Sequence, residues 1–167
     1  MRALSRTVFP VVLGLLAASP AAAQLPLLQP SFGAGMAVPV RGEADRYGTG
    51  LHLRAALKLP ILPLQVEGAL VRMGAEADAD EDLTIWSGGV AVPLRLTPPL
   101  LPVGVYVVAG GGLHRSDAET TSTDFGLSGG AGVSLGLGLS LFAEGRGVLV
   151  FADNKLTYLT AAVGLRF

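Results

Sequence analysis

Residues 125–137 read Phe-Gly-Leu-Ser-Gly-Gly-Ala-Gly-Val-Ser-Leu-Gly-Leu, and every even position from 126 to 136 is Gly or Ser. The odd positions are mostly large and apolar, Phe125, Leu127, Val133 and Leu135 among them. A period of two describes a β-strand with two unlike faces, because successive side chains point to opposite sides of the pleat. The wider segment 125–143 holds no Asp, Glu, Lys or Arg, which by itself raises the prospect of a buried helix. Its glycines argue against one, since each costs a helix interior about 1 kcal/mol relative to Ala. Residues 96–113 are equally free of charge but contain Pro98, Pro99 and Pro102, which a helix interior does not tolerate.

The same alternation recurs along the chain. Leu51, Leu53, Ala55 and Leu57 interleave with His52, Arg54, Ala56 and Lys58. Leu159, Ala161, Val163, Leu165 and Phe167 interleave with Tyr158, Thr160, Ala162, Gly164 and Arg166. The pattern predicts eight strands near 31–40, 49–59, 63–73, 84–96, 103–114, 125–136, 139–151 and 157–167, each close to the roughly 9–11 residues that a tilted strand needs to cross a bilayer. The connections alternate as well. Polar ones at 41–48, 74–83, 115–124 and 152–156 are separated by short apolar or small-residue turns at 60–62, 97–102 and 137–138. Long loops at one end and tight turns at the other describe an up-and-down meander. Pro39 and Pro93 fall inside expected strands and mark bulges or earlier strand ends there.

The N-terminus reads as an address. Arg2 and Arg6 precede an apolar run from Val8 to Ala18, and Ala21-Ala22-Ala23 follows. That order is the signature of a cleavable secretory signal peptide, 1–23, ahead of a single domain at 24–167. Gln24 is not Cys, so the mature end lacks the residue that a bacterial lipoprotein acylates. Charged residues make up 15% of the chain against 50% hydrophobic, and the mean hydropathy is +0.54. A soluble domain carries about 25% charge, so an ordinary soluble domain and a disordered chain are both disfavoured. A net charge of −1 argues against a nucleic-acid partner. Without Cys there is no disulfide, thiolate metal site or Cys nucleophile.

One face of each strand is therefore expected to meet lipid, with Leu53, Leu57, Val92, Val163 and Leu165 outward. The other face is expected to fill a narrow lumen with Gly, Ser, Thr and a few charges. Glu67 and Glu144 are expected to lie in that lumen and pair with Arg54, Arg95 or Arg146, because an unpaired buried carboxylate is costly. Trp86, Phe125 and Phe151 fall at the loop ends of their strands and Phe32 and Phe167 at the turn ends, as aromatic girdles do.

A signal peptide, eight alternating strands and a last strand Tyr158-Leu-Thr-Ala-Ala-Val-Gly-Leu-Arg-Phe167 resemble the small bacterial outer-membrane β-barrels of the OmpA transmembrane domain, OmpX and OmpW type. The resemblance covers nearly all of residues 31–167. It implies an all-β, eight-stranded antiparallel up-and-down transmembrane β-barrel in the cell outer membrane, without the second, peptidoglycan-binding domain of OmpA. It also implies outer-membrane lipid and lipopolysaccharide as surroundings, the barrel-assembly machinery as a partner of the strand ending at Phe167, and a monomer with no cofactor. The role it implies is structural, in surface interaction or in passage of a very small solute.

Three sequence features bear on chemistry. His114-Arg115-Ser116 places a base and a hydroxyl on one strand face and resembles the His-x-Ser of the outer-membrane lipid A deacylases. The acid expected twelve residues after the Ser is Ser128 here. Facing decides between a lipid hydrolase and a strand end: lipid-facing side chains suit an acyl substrate, and lumen-facing ones do not. Glu76, Asp78, Asp80, Glu81 and Asp82 form an acidic run without the Gly or the spacing of an EF-hand, so a solvated loop is expected. Gly110-Gly111-Gly112 precedes no helix and does not match a phosphate-binding loop. No catalytic, cofactor-binding or metal residue is expected.

Overall fold

The period-two segments become eight strands in the computed structural model, which describes residues 28–41, 46–60, 62–76, 79–98, 101–118, 120–136, 139–152 and 156–167. The strands are β1 (Gln29–Arg41), β2 (Tyr47–Lys58), β3 (Gln65–Ala75), β4 (Leu83–Arg95), β5 (Val103–Asp117), β6 (Thr121–Leu135), β7 (Ser140–Val150) and β8 (Thr157–Arg166). The expected signal peptide and its cleavage point after Ala23 lie outside the described residues. Each strand pairs antiparallel with the next, and β1 closes on β8 with Ala34 opposite Val163. Closure satisfies the backbone of every strand on both sides and leaves no sheet edge, which is the condition for spanning lipid with strands.

The expected boundaries hold to within a few residues. The largest difference is the β5–β6 hairpin, which runs through most of the expected loop at 115–124. There the pairing continues past the apolar zone through polar residues: Thr121 Oγ1 donates to Asp117 Oδ1 at 2.9 Å, and Ser122 Oγ donates to Asp124 Oδ2 at 2.8 Å. Pro39 sits at a register shift against β8. Pro93 pairs with Val108 of β5 at a point where the β3 ladder has already ended at Ala91. Both prolines thus sit where a missing N–H costs little.

The two faces separate cleanly. Leu53, Val163, Leu165 and their odd neighbours Leu51, Ala55, Leu159 and Ala161 point outward, and Val163 is 66% exposed. A wall of exposed Leu, Val and Met has no stable contact with water on this scale and needs lipid around it. Trp86, Phe125 and Phe151 stand on this outer wall toward the loop end, with the Phe125 and Phe151 rings stacked 6.2 Å apart.

Inside, the space is shared by layer. Toward the loop end, Val71, Met73, Ile85, Val148, Val150 and Tyr158 pack into an apolar plug, with Met73, Ile85 and Val150 fully buried. Charged and polar side chains fill the middle. Glycine sets the bore where walls approach: a Cβ on Gly164 would strike the backbone carbonyl of Phe32 and the Phe142 ring. In the β6–β7 turn, Gly136 adopts φ of 131°, a conformation that side chains disfavour.

Candidate functional site in the barrel interior

Four charges from three strands meet in the middle of the barrel. Even positions of β2 and odd positions of β3 face inward, which brings Arg54 beside Glu67; β7 supplies Glu144 and Arg146 two residues apart on the same face. Arg54 Nη1 donates to Glu144 Oε1 at 2.7 Å and lies 3.6 Å from Glu67 Oε2. Arg146 Nη1 donates to Glu67 Oε1 at 2.7 Å, while its Nε donates to Glu144 Oε1. Tyr106 Oη donates to Glu144 Oε2 at 2.9 Å, and Gln65 Nε2 donates to Glu67 Oε2 at 3.0 Å. Two carboxylates and two guanidiniums form a neutral set whose oxygens are all used. Arg54 also stacks over the Phe142 ring, 5.3 Å from its centroid. Arg95 does not join the set as one of the expected partners. It lies nearer the turn end, where Nε donates to Thr97 Oγ1 at 3.3 Å and Nη2 donates to the Leu101 carbonyl at 3.0 Å.

A cavity of about 50 Å³ lies against this network, lined in part by His52, Glu67, Ser87, His114, Ser128 and Arg146. His52 and His114 are 6% and 7% exposed. Their Nδ1 atoms and Arg146 Nη2 make no hydrogen bond among the described residues. His114 is therefore a lumen residue. Ser116 shares its inward phase but is only half-buried near the loop end, and the intervening Arg115 points outward to Asp117. The expected discriminator for the His114 and Ser116 pair was its side of the wall, and that side is the lumen. Ser128, at the position where the resemblance calls for an acid, lines the same cavity.

The acidic run behaves as a surface connection. Asp82 Oδ1 accepts the Ala75 N–H at 3.2 Å and Oδ2 accepts from Arg72 Nη2 at 3.0 Å, tying the two ends of the β3–β4 connection. The Ala75 N–H and then the Arg72 guanidinium hold the Asp82 carboxyl below its ordinary range. Among the described residues no group of three or more acidic, His or Cys side chains is arranged to hold a metal ion. Asp78 lies outside the described residues.

Strand phase places the four charges of the network inside, together with Arg95, which does not join it. The apolar plug escapes that reading because the inward face was expected to be polar throughout. Its signal is the inward phase of Val71, Met73, Ile85, Val148 and Val150, followed to the loop end of each strand.

No family model matches the chain, and no curated protein matches it in sequence. Solved structures do. Neisserial surface protein A superposes with a TM-score of 0.66 at 20% identity, over 83% of this chain and 95% of that one. The fold is that of the small outer-membrane β-barrels. Lower scores come from the N-terminal β-barrel domain of Pseudomonas aeruginosa OprF, at TM-score 0.49 and 13% identity over 84% of this chain and 97% of that one. Yersinia pestis Ail, solved with the heparin analogue sucrose octasulfate, gives TM-score 0.46 and 16% identity over 84% of this chain and 99% of that one.

Proposed function

We propose that this chain is an exported outer-membrane protein, cleaved after Ala23, whose role is structural or in surface interaction and which neither catalyses a reaction nor conducts solutes freely. The observation that carries the reading is the double closure of the lumen: a neutral ion-pair layer in the middle and a fully buried apolar plug of Met73, Ile85 and Val150 above it. Eight strands leave a bore that side chains can fill, whereas open channels need about 16–18. The loop end is read as the cell surface and the turn end as the periplasmic side. The strand ending at Phe167 carries the outward apolar positions that the assembly machinery reads in barrels of this kind. The chain is read as a monomer.

The hydrolase reading is weakened by three observations. His114 faces the lumen, away from lipid acyl chains. The cavity beside it, at about 50 Å³, is far below the 300–1,000 Å³ of small-molecule sites. Asp117, the acid after Ser116, is engaged by Arg115 and Thr121 and does not orient the imidazole.

Planar-bilayer recording tests the reading. The folded barrel should show little or no conductance. Smaller side chains in the plug, as in Met73→Ala with Ile85→Ala, should raise it. A large, stable pore in the unaltered protein would overturn the closed-lumen reading. Deacylation of lipid A or phospholipid that vanishes in both His114→Ala and Ser116→Ala would overturn the non-enzymatic one.

A further inference from the structure

The charges inside the barrel are not evenly matched along its axis. Glu67 and Glu144 are both consumed by Arg54 and Arg146 in the middle. Toward the turn end the same inward phase carries Lys58 on β2, Arg95 on β4 and Arg166 on β8. No carboxylate among the described residues lies within ion-pair distance of any of these three. The connections at 59–64, 96–102 and 136–139 contain no Asp or Glu. The mouth therefore gathers three positive charges with no acidic side chain of its own.

Two of the three are held in place by groups that leave their charge intact. Arg95 is fixed by the Thr97 hydroxyl and the Leu101 carbonyl, and it crosses the space in front of Gly104, where an added Cβ would come within 3.4 Å of its Cζ. Arg166 stacks on two rings, 5.2 Å from the Tyr106 centroid and 5.5 Å from that of Phe142. Ser31 and Ser140 stand directly opposite Arg166 on the two neighbouring strands and share its inward phase. Lys58 stands at the same level, paired with Gln29 of β1 two residues from the Ser31 that faces Arg166. Like charges gathered at a low-dielectric mouth repel one another, and an anion relieves that repulsion. Guanidinium forks beside an ammonium match the several oxygens of a phosphate group better than a single carboxylate.

We propose that the turn-end mouth of the barrel is a binding site for a phosphate group, held by Lys58, Arg95 and Arg166. The three residues share the inward phase at the rim of the bore, so a soluble phosphate fits better than a headgroup in the lipid plane outside the wall.

The test uses the full mature barrel, folded in a glucoside detergent, titrated calorimetrically with inorganic phosphate and with pyrophosphate at physiological salt. A parallel arm compares nanodiscs with and without phosphatidic acid. Saturable binding of the soluble anions is expected, weakened about tenfold by Lys58→Gln and by Arg95→Gln, as the loss of one charge-assisted hydrogen bond implies. Arg166→Lys keeps the charge but loses the fork and the ring stacking, so it should retain part of the affinity, and Arg166→Gln should lose it. Heat-dependent gel mobility of each variant shows that it has folded. Binding confined to phosphatidic acid, and lost in the same variants, would support the site with the lipid headgroup as the source of phosphate. Absence of saturable binding in both arms, or binding that the folded Lys58→Gln/Arg95→Gln double variant retains in full, would overturn the proposal.

Discussion

Glu144 shows how narrow the tolerance is for a charge inside this barrel. It accepts from Arg54, Arg146 and Tyr106 and is buried. Removing it leaves two buried guanidiniums sharing one remaining acid, Glu67. Glu144→Ala should therefore destabilise the barrel by about 3–5 kcal/mol, as breaking buried ion pairs does, measured by urea unfolding in lipid bilayers. Tyr106→Phe removes one hydrogen bond to a charged group and should cost less, roughly 1.5–3 kcal/mol. Asp82 obeys a different rule at the surface. Its carboxyl is held below the ordinary range by the Ala75 N–H and by Arg72, so the folded form binds its proton less readily than the unfolded chain. Its contribution is fully present above the unfolded carboxylate pKa of about 3.9 and is lost as the pH falls through the lower folded value. Protease nicking of the β3–β4 connection should accordingly increase at acid pH, and Asp82→Asn should show the acid-like pattern at neutral pH. Equal nicking of the two proteins at neutral pH would contradict this.

Strand β8 carries both faces of the barrel in its simplest form. Val163 points to lipid, and Arg substituted there should cost about 2–4 kcal/mol if it lies near the bilayer midplane. Gly164, its neighbour, points inward, where the Phe32 carbonyl and the Phe142 ring occupy the space of a side chain. Gly164→Val should overpack the bore by roughly 1–3 kcal/mol, and unchanged unfolding curves for either variant would contradict the assigned facing. What was legible in the sequence follows from the same geometry. A period of two survives in any strand that separates lipid from lumen, so the eight strands, the outward set on β8 and the inward Arg54, Glu67, Glu144 and Arg146 could all be read in advance. Strand ends were less legible. The β5–β6 hairpin outruns its apolar zone because ladder hydrogen bonds and the Thr121–Asp117 and Ser122–Asp124 contacts continue without lipid. The destination of Arg95 was illegible because phase gives the face of a residue and not its depth. Depth separates the four matched charges from the three unmatched ones.

Along the whole molecule, the described acids outside the lumen keep to one end, where Arg72 and Arg115 pair with two of them. The described carboxylates outside the lumen, Glu76, Asp80, Glu81, Asp82, Asp117 and Asp124, belong to the loop end, whereas Lys58, Arg95 and Arg166 belong to the turn end. Between them lie the ion-pair layer and then the apolar plug, so the barrel presents two chemically distinct mouths. The central claim is that a closed barrel places odd residues of β8 in lipid and even residues in a sealed lumen. The absence of native Cys makes that claim directly measurable. Single-cysteine variants at 159 to 163 and at 165 in reconstituted bilayers, each carrying a small spin label and checked for folding by heat-dependent gel mobility, can be probed with a lipid-dissolved relaxation agent. Strong relaxation at 159, 161, 163 and 165 with weak relaxation at 160 and 162 is the predicted result. Uniform relaxation along the strand, or strong relaxation at the even positions, would contradict it.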